Sequence, residues 1–366
     1  MRRVAIKDLQ PDMEVARAIY SSDGRILLHA GMKLNETYIY RLQASGIASV
    51  YIKDELTGDL DTLQDVVREE TRIETVKVLK DNFFQLEHQH KLNIRMAKNM
   101  VNQIIDDLLL NSDLLVNLTD IRTFDDYTFA HSVNVCILSI MTGITLQYNN
   151  LKLTELGIGA LLHDIGKTKI SKEILQKPDD LNRDEFDEVK KHSKYGFEIL
   201  RKYEDLSLLS AHVAFQHHER WDGQGYPRQL AGDNIHEYAR IVAVADVYDA
   251  LMADRPYRPG YTVNQAMLIL KRMSGIYLDA SCVNALLTNI ASYPIGSYVE
   301  LSTGEIGIVV DVNKEMSTRP VIRLIFKKNG LKFPNPHEID LSKLSTICII
   351  KILSEKNIAE AKQNSE

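Results

Sequence analysis

The sequence has few of the features that mark secreted or membrane proteins. Its 366 residues include only three cysteines. None has Cys-x-x-Cys spacing and each stands among apolar residues, which predicts buried thiols in a reducing compartment: Cys136, Cys282 and Cys348. No apolar run reaches the roughly 20 residues that span a bilayer. Met1 leads into "RRVAIKDLQPD" rather than the apolar stretch of a signal peptide. These absences predict a cytoplasmic protein without a membrane span.

The sequence also lacks a strong charge of either sign. Its formal net charge is -6, which argues against general binding to duplex DNA or RNA. An anionic ligand would instead need a local cluster of Lys and Arg. The length exceeds what one compact core accommodates, so roughly two to four domains are expected.

Both ends of the chain show strand-like patterns. Residues 1–56 predict a small α+β regulatory domain, with a hairpin turn at "SSDG" and a helix capped by Asn35. Residues 292–353 contain short apolar runs separated by turn residues, which predicts a small β-barrel-like domain. The polar residues 354–366 predict a disordered tail.

A long helix is predicted between the first domain and the middle of the chain. Residues 57–118 form this linker, and between 59 and 110 there is no Gly or Pro. Apolar residues recur there at steps of three and four. Such a stripe either braces the next domain or pairs with a second copy of the chain as a homodimer.

Residues 119–291 are predicted to be mainly helical and rich in histidine. The stretch "LTELGIGALLHDIGK" reads as a helix whose last turn carries His163 and Asp164, with Gly166 ending it in the left-handed conformation. A capping box at Asn182 begins the helix that carries His192. Asp246 interrupts the apolar "IVAVADVYDAL", where a carboxylate is costly unless it is paired or bound to a cation.

Taken together, five imidazoles and two carboxylates are candidate metal ligands: His131, His163, Asp164, His192, His217, His218 and Asp246. They suffice for two divalent ions that share a bridging carboxylate. Nitrogen and oxygen donors without thiolate favour Fe or Mn over structural zinc, with Ni, Co or Mg as alternatives.

Several of these motifs together resemble a known family. "HDIGK" at 163–167, His192 followed by Gly196, "HHERWDGQGYP" at 217–227 and "ADVYDALMADRPYR" are similar to the HD-GYP branch of the HD-domain metal-dependent phosphohydrolases. The resemblance covers about residues 120–290. It implies a mainly α-helical HD-type catalytic core that hydrolyses cyclic di-GMP to pGpG and/or GMP, through two-metal activation of a bridging water.

The resemblance also implies roles for individual residues. Asp164 and Lys167 would be catalytic, Asp164 as the bridging ligand and Lys167 against charge on the attacked phosphate. Some family members bind a third metal through a Glu one turn before the first His. Tyr127 stands there, so two metals are expected. The implied substrate contacts are Lys167, Tyr226, Arg255 and Arg258. The residues implied to shape the loop are Gly223, Gly225 and Pro227.

Two alternatives stay open. The chain could be a cyclic-dinucleotide-binding sensor or docking protein with little turnover, although Lys167 and the complete ligand set favour an enzyme. It could also be an HD phosphohydrolase for another cyclic dinucleotide or a nucleoside phosphate, although the loop at 217–227 favours cyclic di-GMP.

Overall fold

The computed structural model describes residues 1–20, 26–45, 47, 49–53, 65–111, 115, 127–177, 179–253, 260–313, 316–353 and 357–358. The chain divides into two compact units. The first comprises Met1–Val66, Asp113–Tyr127 and Ile290–Glu366, and the second comprises Val67–Ser112 and Thr128–Asn289. The finer division predicted from the sequence, with boundaries at residues 56, 118, 291 and 353, stays a prediction.

The N-terminal part of the first unit combines short strands with one helix. Its elements are β1 (Arg2–Ala5), β2 (Ile19–Tyr20), β3 (Ile26–Leu28), α1 (Glu36–Ala44) and β4 (Ser49–Ile52). Strand β1 pairs antiparallel with β4, and β2 pairs antiparallel with β3. Asn35 caps α1 by accepting a hydrogen bond from the Tyr38 amide at 2.8 Å, as predicted. The predicted "SSDG" turn lies outside the described residues, and a separate regulatory domain over 1–56 stays a prediction.

The second unit is mainly α-helical, as predicted. Its helices are α2 (Glu69–Gln89), α3 (Ile94–Leu110), α4 (Tyr127–Thr145), α5 (Asn150–Leu161), α6 (Lys172–Leu175), α7 (Arg183–Leu200), α8 (Leu208–Gln216), α9 (Glu237–Met252), α10 (Val263–Met273) and α11 (Ala280–Leu287). Helix α5 packs against α3 and α8, α7 packs against α8, and α9 contacts α8, α10 and α11. The predicted capping box is present at the start of α7.

Helix α4 supplies much of the core of this unit. By length and composition, α4 could cross a membrane. However, 72% of its segment Thr128–Thr145 is buried inside the structure. The helix also carries His131, which is 6% exposed. Burial among other helices is typical of a core helix in a folded domain.

The single helix predicted over residues 59–110 is wrong. His90 adopts the left-handed conformation with φ of 55° and ends α2. The Asn93 side chain then caps α3, because its Oδ1 accepts a hydrogen bond from the Met96 backbone N–H at 3.0 Å. The backbone N–H of Asn93 donates to Asn82 Oδ1 at 2.6 Å. The chain therefore turns back, and α2 packs against α3.

This break also removes the basis for the predicted homodimer. Most of the apolar stripe is buried within the second unit, where α3 packs against both α2 and α5. The stripe thus braces neighbouring helices of its own chain. The buried residues of the stripe are therefore not available to pair with a second copy of the chain.

The prediction that Gly166 ends a helix in the left-handed conformation is also wrong. Helix α5 ends at Leu161, and His163 and Asp164 lie in the turn before a 3-10 helix at Ile165–Lys169. Gly166 is not among the described residues with positive φ. A Cβ at this position would instead lie 1.9 Å from the His192 carbonyl oxygen. Glycine is required because the 3-10 helix and α7 touch backbone to backbone.

Gly166→Ala is therefore expected to lower the free energy of unfolding by roughly 3 kcal/mol, the upper end for an overpacked core. Urea denaturation of the metal-free protein measures the change. Gly196→Ala is the comparison, because the nearest atom to its Cβ would be the side-chain atom Ala214 Cβ at 3.1 Å, and the nearest backbone atom would lie at an ordinary contact distance of 3.5 Å. Equal effects of the two substitutions would contradict the backbone contact as the reason for Gly166.

The C-terminal part of the first unit is a five-stranded antiparallel sheet. Its strands are β5 (Tyr298–Leu301), β6 (Ile306–Asp311), β7 (Val321–Phe326), β8 (Lys332–Asp340) and β9 (Ile349–Ile352), in the order β8-β7-β6-β5-β9. Strand β8 contains Pro334 and Pro336, which cannot donate to a central position in a sheet. It lies at the sheet edge, where proline is tolerated. Closure into a barrel stays a prediction.

Two predictions for this region need correction. Cys136 and Cys282 are buried as predicted, but Cys348 is exposed. It precedes edge strand β9, in which Ile350 and Lys351 are exposed as well. The tail at 354–366 is not wholly disordered, because Ile358 is 4% exposed and packs in a cluster with Tyr298 and Phe326. Residues 354–356 and 359–366 lie outside the described residues.

Candidate metal centre

Three buried histidines have their rings fixed by nearby backbone. The Nδ1 atoms of His163 and His192 lie 2.7 and 2.6 Å from carbonyl oxygens three residues earlier. The Nδ1 of His217 lies 3.0 and 3.1 Å from carbonyl oxygens three and four residues earlier. Because a carbonyl only accepts, each Nδ1 carries the proton and each Nε2 presents a lone pair. Hydrogen bonding of this kind fixes imidazoles in proteins that bind metals.

Asp164 lies between two groups of these rings. Its Oδ2 is 3.3 Å from His163 Nε2, whereas its Oδ1 is 3.4 Å from His192 Nε2. The Nε2 of His217 is 4.0 Å from the same Oδ1. The carboxylate is 3% exposed. Each oxygen therefore faces a different set of imidazole nitrogens, as expected of a carboxylate that bridges two ions.

Two sets of three side chains each bring their ligand atoms within 4.8 Å of one another. The first set is His192, His217 and His218, and the second is His131, His163 and Asp164.

The first set fits a cation better than it fits any other partner. The Nε2 atoms of His192 and His217 lie 3.3 Å apart. With both Nδ1 atoms protonated, two lone pairs face each other at that distance. Burial lowers the pKa of His192, lowers that of His217 well below its usual value and lowers that of His218 to about 3. All three rings are thus neutral near pH 7, which is the form that binds a divalent metal.

The other end of the site combines His131 with two carboxylates. His131 Nε2 is 3.1 Å from Asp246 Oδ1, and its Nδ1 is 2.7 Å from Asp249 Oδ2. Burial lowers the pKa of His131, but hydrogen bonds to both carboxylates outweigh this and raise it to about 10. Although burial raises the pKa of Asp246, His131 holds it far below its usual range. The position between His131 and Asp246 therefore attracts a cation, whether a proton or a metal ion.

Lys167 forms an ion pair with Asp164. Its Nζ lies 2.5 Å from Asp164 Oδ2, and its side chain is 31% exposed. Burial lowers the pKa of Lys167, but Asp164 outweighs this effect and raises it. Although burial raises the pKa of Asp164, Lys167 and His163 hold it well below its usual value. Lys167 therefore brings a permanent positive charge to the edge of the ligand set.

The loop at 217–227 owes its shape to two glycines with different roles. Gly223 has φ of 76°, a conformation that favours glycine. Gly225 does not have positive φ, but a Cβ there would lie 2.4 Å from the Arg220 amide nitrogen and 2.5 Å from the His218 carbonyl oxygen. The predicted loop-shaping position Pro227 follows a cis peptide bond.

The same loop brings Tyr226 to the ligand set. The Tyr226 ring lies 4.7 Å from the His218 ring, centroid to centroid, with 31° between the planes. Glu219 is 3% exposed and accepts from the Arg228 and Leu230 amides at 2.7 and 3.0 Å. Sequence reasoning missed this role of Glu219. A buried acid inside a glycine-rich loop was the available signal, because such an acid needs partners.

Most of the site residues predicted from the sequence meet in one place. The seven ligand candidates come together, with Lys167 and Tyr226 at their edge. Arg255 and Arg258 lie outside the described residues. A second residue missed from the sequence is Lys190, whose Nζ is 6.0 Å from the centre of the Tyr226 ring. Nothing in its surface-helix pattern sets it apart from Lys191.

Comparison with known proteins finds an HD domain in the part of the chain that carries these residues. The HD domain family matches residues 112–282, and a KOW domain associated with HD domains matches residues 298–361. A cyclic di-GMP phosphodiesterase of Pseudomonas aeruginosa is 35% identical over 243 residues, which are 66% of this chain and 58% of that protein. Residues 112–282 therefore form an HD domain, and the chain is similar to cyclic di-GMP phosphodiesterases of the HD-GYP family. HD-domain phosphohydrolases are metal-dependent, and the clustered His and Asp side chains of this chain could bind metal.

Two further comparisons bear on this chain. A 3′3′-cGAMP-specific phosphodiesterase of Vibrio cholerae is 38% identical over 160 residues, covering 44% of this chain and 35% of that protein. An HDG"Y"P protein of Bdellovibrio bacteriovorus has a similar fold, with a TM-score of 0.51, 19% identity, and coverage of 78% of this chain and 97% of the other. The chain thus spans 58% and 35% of the two curated relatives' lengths.

Proposed function

We propose that this protein is a metal-dependent phosphodiesterase of the HD-GYP family that hydrolyses cyclic di-GMP to pGpG and/or GMP. The observation that carries the proposal is Asp164, whose two oxygens face separate sets of imidazole nitrogens. The relatives named as cyclic di-GMP phosphodiesterases support the substrate. The proposal includes a cytoplasmic location and a regulatory role for residues 1–56.

The proposed site holds two divalent ions through seven ligands: His131, His163, Asp164, His192, His217, His218 and Asp246. Imidazole and carboxylate donors without thiolate favour Fe or Mn. When bound, such ions supply Lewis-acid chemistry, polarising the phosphate and lowering the pKa of water for its attack on phosphorus.

The chain's own residues then act on the dinucleotide. Lys167 places an ammonium group beside Asp164, where it can stabilise the negative charge that grows on the phosphate oxygens during attack. Burial raises the pKa of Tyr226, so its hydroxyl stays protonated near pH 7 and can donate a hydrogen bond to the substrate. Arg255 and Arg258 are proposed to bind phosphate by bidentate hydrogen bonds.

The test is a product assay on protein purified without oxygen and loaded with Fe²⁺ or Mn²⁺. Cyclic di-GMP, 3′3′-cGAMP and pGpG are supplied separately, and the products are resolved by chromatography. Turnover of cyclic di-GMP that exceeds that of 3′3′-cGAMP, and stops on chelation, is expected. Faster turnover of 3′3′-cGAMP would identify 3′3′-cGAMP, and not cyclic di-GMP, as the preferred substrate. If metal-loaded protein binds cyclic di-GMP tightly but does not hydrolyse it, the protein would be a cyclic-dinucleotide sensor or docking protein rather than an enzyme.

The number of ions is a separate prediction. Tyr127 is the first residue of α4, one turn before His131. A neutral phenol, with a pKa ordinarily near 10, is a poor ligand for a divalent ion. Elemental analysis of the wild type is therefore expected to give about two ions per chain, and Tyr127→Glu to admit a third. Three tightly held ions in the wild type would contradict this prediction.

A further inference from the structure

A chain of hydrogen bonds runs from α2 to His131. Arg72 Nη1 donates to Asn134 Oδ1 at 3.3 Å, and Asn134 Nδ2 donates to Asp249 Oδ1 at 3.0 Å. Asp249 Oδ2 then accepts from His131 Nδ1 at 2.7 Å. Arg72, Asn134 and Asp249 are 9%, 8% and 0% exposed. Water therefore competes little for these bonds, and each partner is costly to remove.

The bonds fix the orientation of each group in turn. The Arg72 guanidinium only donates, so it holds the carbonyl end of the Asn134 amide toward itself. The amide nitrogen of Asn134 must then face Asp249. A carboxylate held in this way keeps the proton on His131 Nδ1 and turns Nε2 toward Asp246 and the rest of the ligand set.

Arg72 is itself held in place from α3. Asp107, whose side chain is 2% exposed, accepts from Arg68 Nε and Thr71 Oγ1, both at 2.7 Å. It also accepts from the Arg68 amide at 3.2 Å. These bonds anchor the first turn of α2, which carries Arg72. Both helices precede the segment 112–282 that matches the HD domain.

We propose that Arg72 and Asn134 are positioning residues for His131, so that the α2–α3 hairpin sets how tightly the His131 side of the site binds its metal. The inference rests on the proposed function only in taking the ligand set to be a metal site. The competing interpretation is a buried polar network that stabilises helix packing and leaves the metal unaffected.

The test measures metal affinity directly. Metal-free wild type, Arg72→Met and Asn134→Leu are titrated with Mn²⁺ against a chromophoric chelator. We expect one of the two ions to bind about 10- to 100-fold more weakly in both variants, the usual cost of losing a partner that orients a ligand. Arg95→Met, an exposed arginine on α3, is the matched control and should bind Mn²⁺ like the wild type.

A conservative variant keeps the test decisive if Arg72→Met fails to fold. Arg72→Lys retains a positive donor, and we expect it to bind Mn²⁺ more tightly than Arg72→Met, or closer to wild type than Asn134→Leu. Urea unfolding of each metal-free variant reports packing separately. Wild-type Mn²⁺ affinity in folded Arg72→Lys and Asn134→Leu would overturn the inference.

The outcome is independent of turnover. A wild type that binds two Mn²⁺ ions but hydrolyses no cyclic dinucleotide would contradict the proposed function, while weaker Mn²⁺ binding by the variants would still support the positioning role. If the wild type hydrolyses cyclic di-GMP, the variants should regain kcat as Mn²⁺ is raised, with KM for the dinucleotide unchanged. A loss of kcat that excess Mn²⁺ leaves uncorrected would count against a role in metal binding.

Discussion

Asp164→Ala is expected to abolish hydrolysis of cyclic di-GMP and to lower the bound metal. The side chain faces His163 with one oxygen and His192 with the other, so its removal takes a ligand from both proposed ions at once. Turnover should fall on the order of 10³-fold or more, as when other central catalytic groups are deleted. Elemental analysis and the nucleotide product assay, run on the same sample, measure the two effects.

The control for Asp164→Ala is Asp184→Ala. Asp184 is an exposed acid in the first turn of α7 and has no contact with the ligand set among the described residues. It should retain wild-type metal and turnover. Full activity in Asp164→Ala would exclude the bridging role, and so would a variant that keeps both ions.

The metal ligands were the part of the site that the sequence predicted best. His163, Asp164 and Asp246 could be recognised because an ionisable group in an apolar stretch is costly unless it has a partner. The order and spacing of the motifs then indicated the family. Their convergence in the structure follows from α5, α7, α8 and α9 packing in one unit, which periodicity alone cannot specify.

The predictions that failed depended on contacts distant in sequence. The break at His90 could not be read from helical periodicity, because the apolar pattern continues into α3. Gly166 looked like a helix terminator, yet its role is a contact with the His192 backbone. The hydrogen bond from Arg72 to Asn134 joins residues 62 positions apart, so no local sequence pattern indicates it.

The hydrogen-bond partners of the ligands could be predicted from the sequence only in part. Asp249 lies three residues after Asp246 on α9, and residues at this spacing are neighbours on one face of a helix. Asn134 stands in the same relation to His131, yet an asparagine in an apolar helix gives no indication of what it contacts. The orientation of His131 therefore had to come from the structure.

Lys167→Met is expected to separate catalysis from metal binding. The ammonium group lies 2.5 Å from Asp164 Oδ2 and is not one of the proposed ligands. Its loss removes a charge that would stabilise the phosphate in the transition state, so kcat should fall about 10²- to 10³-fold, the range for one such electrostatic group. Steady-state kinetics with saturating Mn²⁺ measure the change.

Metal binding by Lys167→Met should move in the other direction. A positive charge beside a site for divalent cations repels them, so its removal should leave Mn²⁺ affinity unchanged or raise it. Lys169→Met, an exposed lysine two residues later, is the matched control and should keep both wild-type kcat and affinity. Unchanged kcat in Lys167→Met would make Lys167 a structural partner of Asp164. Lost metal together with lost turnover would mean that Lys167 holds Asp164 in place, because only a positioning role couples the two effects.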